Sequence, residues 1–251
     1  MAEKGSDSLD LLARMCHDIR TPLGAILGFA QLMESGTPSP TASQQKRIDL
    51  ILQAGWYLEN LIDMTSDLAL IESGSLSLSL DTVPLAAVIL DVQATIESKA
   101  RMRGVNVTFP LVETTCFVSA DRRRLQQVLG NLLQVAIEYG ELEGSLVVLC
   151  EAQSSEWIRI GINDGGGLSQ RFNSPEQQAA SAQGTGIGLM LAKRLIELMG
   201  GKIGAQDAVG TGQIFLFDLK RISIPTAVSR NSAACSASQS LPPQTITRLM
   251  T

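Results

Sequence analysis

Apolar residues in the first third of the chain recur at helical rather than strand spacing. Between about Ser8 and Glu34 they fall at Leu9, Leu12, Met15, Ile19, Leu23, Ile26, Leu27 and Ala30, close to the period that lines one side of a helix. Pro22 lies inside this stretch. It cannot donate to the carbonyl of Asp18, and its ring crowds that carbonyl, so a bend is expected just after His17. Ser35-Gly36-Thr37-Pro38-Ser39-Pro40 then breaks the pattern. A second periodic run carries Ile48, Ile51, Leu52, Leu58, Leu61, Ile62, Leu68 and Ile71 and ends at Ser73-Gly74. Two long helices joined by a short turn predict an antiparallel hairpin, and one broad apolar face on such a hairpin is left uncovered. The expected solution is a homodimer in which two hairpins form a four-helix bundle.

The texture changes after Gly74. Ser75 to Leu80 alternates like a short strand, and Pro84 to Met102 reads as a helix with proline in its first turn. Strands are predicted over 105–109 and 116–119, then a helix over 121–139 whose acidic start suits its dipole. A strand pair at 145–150 and 157–162 leads into a glycine-rich loop and a polar segment. A helix over 185–199 and strands near 202–206 and 213–219 follow. The order predicts an α+β chain in which a helical hairpin precedes a two-layer α/β sandwich. The expected units are a polar lead-in or linker at 1–7, the hairpin at 8–74, the sandwich at 75–222 and a tail at 223–251. That tail is rich in Ser, Ala, Thr, Pro and Gln, so it is read as disordered or as a linker.

Composition narrows the function. A hydrophobic fraction of 45% in 251 residues suffices for a core. A net charge of −5 with no basic stripe argues against a nucleic-acid partner. Cys16, Cys116, Cys150 and Cys235 contain no CxxC pair and have a single histidine to share a metal with, so they read as reduced, cytoplasmic cysteines. No run of about 20 apolar residues and no signal pattern occurs, so the fragment itself is expected to be cytoplasmic and free of membrane contact. Its polar start, Met1 to Ser6, leaves room for a longer, membrane-bound parent.

His17 is the sole histidine. An imidazole can take up a phosphoryl group and pass it on where a neighbour manages the ring proton and the site is open. Asp18 is placed to manage that proton. Thr21, at i+4, shares the histidine's face and is suited to positioning a water or substrate group. Arg20 offers charge to a phosphate, or is an ordinary solvated arginine. A lone surface or core histidine is the plain alternative.

The stretch His17-Asp18-Ile19-Arg20-Thr21-Pro22-Leu23 resembles the H-box of two-component sensor histidine kinases, whose motif is His-(Glu/Asp)-x-Arg-Thr-Pro-Leu. Gly24 to Phe29 and the ending Leu70-Ile71-Glu72-Ser73-Gly74 are similar to that family too, so the likeness spans about residues 8 to 220. It implies a HisKA-type dimerisation and phosphoacceptor hairpin joined to a GHKL-type ATP-binding domain. It also implies that His17 takes the γ-phosphoryl group of ATP and gives it to an aspartate of a response-regulator receiver domain. Asp18 is then the general base, and Thr21 serves in dephosphorylating the regulator.

Three stretches bear on the phosphoryl donor. Gly184-Thr185-Gly186-Ile187-Gly188-Leu189 opens a helix, where glycines admit a polyphosphate and free amides attract it. A tight turn gives the same string, but it falls where the family has its second glycine box, so Gly184, Gly186 and Gly188 are candidate nucleotide residues. Asn163-Asp164-Gly165-Gly166-Gly167-Leu168 resembles the first glycine box, which makes Asp164 the acceptor for the adenine amino group and Gly166 a loop glycine. Leu168 stands where the last glycine belongs; a plain strand-to-loop turn is the alternative.

The helix Leu125 to Tyr139 resembles the N-box, in which a second asparagine, four residues after the position of Asn131, holds Mg²⁺. Here that residue is Val135, which has no lone pair for a cation that demands oxygen ligands. Glu138 replaces a usual basic residue, and a carboxylate facing a triphosphate costs about 1–4 kcal/mol. Asn131 helps only if the nucleotide sits differently. The segment 169–183, in the place of the ATP lid, is short, with Arg171 as its one cation.

The expectation is a histidine-kinase core that exchanges a phosphoryl group with a regulator, its ATP and ADP binding and its autokinase activity weakened or lost, with Mg²⁺ held atypically if at all. The alternatives are a fully active autokinase with an unusual nucleotide site, and a dimeric interaction scaffold in which His17 is vestigial.

Overall fold

The computed structural model describes residues 3–139, 144–164, 185–208 and 212–223. The long helix α1 (Glu3–Glu34) runs continuously through Pro22, and α2 (Ala42–Glu72) returns beside it. A capping box starts α2: Gln44 N–H donates to Thr41 Oγ1, and Thr41 N–H donates to Gln44 Oε1 at 2.9 Å. The hairpin buries Cys16, Leu23, Leu27 and Ala30 of α1 against Ile48, Leu52 and Ile62 of α2. Leu27 lies over Gly55, where a Cβ would stand 2.5 Å from Leu27 Cδ2. Only glycine allows the helices to approach so closely there.

The apolar stripe read as one face of α1 divides in two. Leu23, Leu27 and Ala30 are buried within the hairpin, whereas Met15, Ile19 and Ile26 are half exposed. Phe29, Leu32 and Met33 extend the outer apolar surface on α1, and Leu50, Ile51 and Leu58 do so on α2.

The α/β unit contains β1 (Asp81–Pro84), α3 (Leu85–Met102), β2 (Asn106–Thr108), β3 (Phe117–Ala120) and α4 (Arg122–Tyr139). These precede β4 (Ser145–Ala152), β5 (Trp157–Asn163), α5 (Thr185–Leu198), β6 (Lys202–Ala208) and β7 (Gly212–Ile222). The strands form one sheet in the order β1-β3-β7-β5-β4-β2, with β6 paired to β7. The β2–β4 pair is parallel and the others are antiparallel. Ile158, Ile160 and Ile162 of β5 and Phe215, Phe217 and Leu219 of β7 face the core, which also takes buried side chains from α3, α4 and α5. Alternation of these residues with outward ones is what gives β5 and β7 a single buried face. On the outer face Arg159 forks onto Asp218 at 2.7 and 2.9 Å, fixing the register in which the two residues oppose each other. Pro84, Phe117 and Ile222 line up across β1, β3 and β7.

Two details depart from the sequence reading. Residues 75–80 form no strand; Leu76 and Leu78 pack on the core, and Ser79 N–H donates to Asp121 Oδ2 at 3.2 Å. Pro84 closes β1 and stands at the N-cap of α3 rather than in its first turn. The tail after residue 223 lies outside the described residues. Among those described, no helix is long and apolar enough to cross a membrane.

Candidate functional site

His17, Asp18, Arg20 and Thr21 are all exposed on α1, while Cys16 and Leu23 on the opposite side anchor that stretch in the hairpin core. The helix thus offers the imidazole to solvent from a fixed support. Arg20 Nη2 reaches Asp63 Oδ1 of α2 at 2.7 Å, which ties the turn after His17 to the second helix. Both side chains are about half exposed, so the pair orients more than it stabilises.

The residues expected to face the phosphoryl donor lie on α4, just after β5 and on α5. Asp164, just beyond β5, is a buried carboxylate. Asn131 on α4 and Gly188 on α5 are brought together: a Cβ on Gly188 would lie 3.7 Å from Asn131 Cβ and Cγ. Asn131 Nδ2 is buried and has no hydrogen-bond partner among the described residues, an arrangement that costs free energy unless something accepts from it. Gly186 lies in the first turn of α5. Gly166, Leu168, Arg171 and Gly184 lie outside the described residues.

Val135 is 3% exposed and belongs to the sandwich core. Its environment suits a β-branched apolar side chain, and the position supplies no oxygen. Among the described residues no group of three or more His, Cys, Asp or Glu side chains could hold a metal ion. Glu138 accepts from Gln134 Nε2 at 2.9 Å, and Gln134 Oε1 accepts from Lys99 Nζ at 2.9 Å. The acidic group is therefore linked through an amide to a cation on α3. Sequence reasoning missed this relay because it depends on how α3 packs on α4.

It also missed the junction between hairpin and sandwich. Leu68 reads as part of the hairpin's own apolar run, yet it and Met64 are buried in the sandwich core. Asp67, between them, accepts from Arg124 Nη1 at 2.6 Å and from Gln127 Nε2 at 2.8 Å. An acid framed by two apolar residues near the end of a helix was the available signal.

An exposed histidine on a helical hairpin is followed by an α/β sandwich in which a glycine-bearing helix and an asparagine-bearing helix lie side by side. Residues 8–74 match the His Kinase A (phospho-acceptor) domain, and residues 120–222 match the histidine kinase-, DNA gyrase B- and HSP90-like ATPases. The chain belongs to the two-component sensor histidine kinases and contains their core. It is 30% identical over 260 residues to an uncharacterized sensor-like histidine kinase of Rhizobium meliloti (strain 1021), covering 97% of this chain and 48% of that protein. It is 33% identical over 228 residues to the sensor protein GacS of Pseudomonas syringae pv. syringae, covering 84% and 25% respectively. The chain thus spans half or less of the length of these relatives.

Among solved structures, full-length ShkA in complex with AMPPNP shares the fold at a TM-score of 0.66 and 24% identity, over 86% of this chain and 47% of ShkA. The histidine kinase AdeS of Acinetobacter baumannii shares it at a TM-score of 0.54 and 24% identity, over 82% and 98%.

Proposed function

We propose that this chain is the signalling core of a homodimeric histidine kinase in which His17 carries a phosphoryl group exchanged with an aspartate of a response-regulator receiver domain. Asp18 acts as general base toward the imidazole, and Thr21 positions the water that dephosphorylates the regulator. In this reading, loading of His17 from ATP is weakened or lost. The observation that carries it is the contrast between the two halves: an exposed His17 with Asp18 and Thr21 beside it, against a Val135 buried in the core.

Two features support a weakened donor. Val135 gives Mg²⁺ no ligand where the family has an asparagine. Glu138 adds negative charge near the same helix end, and its Gln134–Lys99 relay offsets that charge only through an intervening amide. Asp164, Asn131, Gly186 and Gly188 remain suited to a nucleotide by their chemistry, so the active-autokinase reading keeps a specific basis.

The test is acid-labile label transferred from ATP in the presence of Mg²⁺ or Mn²⁺, with His17→Gln as the blank and Val135→Asn as the attempted rescue. The expected result is trace labelling of the unaltered chain, abolished in the blank. Robust labelling of the unaltered chain refutes the weakened donor. Incubation with a phosphorylated receiver domain then separates a transfer protein from a scaffold: label on His17, or Thr21-dependent loss of receiver phosphate, is expected.

A further inference from the structure

Cys116 and Cys150 take no part in the proposed chemistry, and their thiols are hydrogen-bonded to each other. Cys150 sits in β4 opposite Ile160 of β5. Cys116 ends the connection 109–116, which leads from β2, at the side of β4, to β3 and contains no helix or strand. Phe109 and Val112 of that connection pack against the sandwich core, and so do both cysteines, each partly buried. The backbone of Cys116 is held in place: its N–H donates to the Glu113 carbonyl, and its carbonyl accepts from Leu85 N–H at the start of α3, each at 3.0 Å. In the sheet order β7 and β5 stand between β3 and β4, so no strand pairing ties the segments that bear the two thiols.

We propose that Cys116 and Cys150 form a modification site, a dithiol that a small-molecule disulfide converts into an intramolecular disulfide stapling the start of β3 to β4. Cys116 gives its proton to solvent, and its thiolate attacks one sulfur of the external disulfide R–S–S–R. A Cys116–S–S–R bond forms as RS⁻ leaves and takes up a proton. The Cys150 thiolate then attacks Cys116 Sγ, expelling the second RS⁻ and closing Cys116–S–S–Cys150. Two cysteine thiols are oxidised and one external disulfide is reduced to two thiols, so electrons and protons balance. The sulfurs must draw in from hydrogen-bond contact to about 2.05 Å, a movement that the irregular connection 109–116 is able to follow.

The order of attack follows from the surroundings. Burial raises both thiols. Beside Cys116 the Arg221 cation opposes that rise, and the hydrogen bond from Cys150 favours the Cys116 thiolate. At Cys150 burial is joined by Cys116 itself and by Glu151, which push the thiol up to about 12. Cys116 is therefore the attacking sulfur. Capping it removes its own contribution to the rise at Cys150, which readies the second thiol to resolve the mixed disulfide.

The ring closed by the bond holds β3, all of α4 and β4 up to Cys150. Helix α4, which bears Asn131, would then be anchored covalently at both of its flanks, whatever phosphoryl chemistry the chain performs.

The test incubates the folded full chain in glutathione buffers of rising oxidised-to-reduced ratio, blocks the remaining thiols with a maleimide in denaturant, and maps tryptic peptides without reduction. The expected product is a disulfide joining peptide 104–122 to peptide 125–159, reversed by dithiothreitol, with Cys16 and Cys235 carrying maleimide. Cys150→Ser is expected to hold glutathione on Cys116, and Cys116→Ser to leave Cys150 unmodified. Oxidation of the unaltered chain is expected to raise its thermal midpoint by about 5 °C or more and to slow amide exchange in α4 about threefold or more, with neither change in the serine variants. Absence of the linked peptides at about a hundredfold excess of oxidised over reduced glutathione, a link formed only after denaturation, or a link to Cys16 or Cys235 in its place overturns the site. The expected link with unchanged midpoint and unchanged exchange overturns the staple, and glutathione held on Cys150 rather than Cys116 overturns the order of attack.

Discussion

An added methyl group at Gly55 would stand 2.5 Å from Leu27 Cδ2 in the middle of the hairpin. Leu27 is itself buried, so accommodating alanine means moving a packed leucine or separating the helices. Gly55→Ala is expected to lower stability by about 1–3 kcal/mol, the usual cost of overpacking, as measured by urea unfolding. A different residue-scale effect concerns Cys150, whose thiol burial pushes up from 9.0 to about 12, with Cys116 adding to the rise. Below pH 9 the thiol is neutral in both folded and unfolded chains and contributes no pH dependence. Between pH 9 and about 12 the unfolded thiol ionises while the folded one does not, so stability falls as pH rises. Cys150→Ala is expected to flatten that fall in unfolding curves taken across the same window. His17 and Val135 were legible in the sequence because each occupies a fixed place in a motif. Gly55, the single glycine of α2, was not, since the sequence alone does not say which side chain of the other helix lies over it.

Elements fared according to how local their causes are. The helices follow from long periodic runs and from breakers such as Gly36, Pro38 and Pro40, all visible in the sequence. Residues 75–80 show where that reasoning fails. Ser-Leu alternation places Leu76 and Leu78 on one side, and both do pack inward, but a strand also needs an edge to pair with. β1 takes the edge of β3 from residue 81 onward, while Ser79 is drawn instead to Asp121. Pattern predicts which side of a segment is buried; pairing is decided by the rest of the sheet. The same logic explains α1, whose stripe is wide enough to serve two surfaces.

At the scale of the molecule, the outer apolar surface of the hairpin calls for a cover. Ile26 is 54% and Phe29 68% exposed, and large apolar patches of this kind mark interaction surfaces. The double change Ile26→Glu with Phe29→Glu is expected to convert a dimer into monomers in light scattering, with helical circular dichroism retained. An unchanged mass would refute the four-helix bundle. The junction around Asp67 was illegible for a reason that belongs to this scale. Its members come from segments about 60 residues apart in the chain, as with Asp67 and Gln127, and only the docking of two units makes them neighbours.

The alignment of Pro84, Phe117 and Ile222 across three strands has a mechanical side. The strand by which the chain comes into the sheet and the strand by which it leaves lie two spacings apart, about 10 Å. Both strands are antiparallel to β3 and so run the same way: Ile222 lies level with the last residue of β1, and β7 ends at the opposite end of the strands from Asp81, where the hairpin's connection arrives. A pull applied at Asp81 and at Ile222 therefore acts along the strands and shears β1 and β7 against β3, which lies between them.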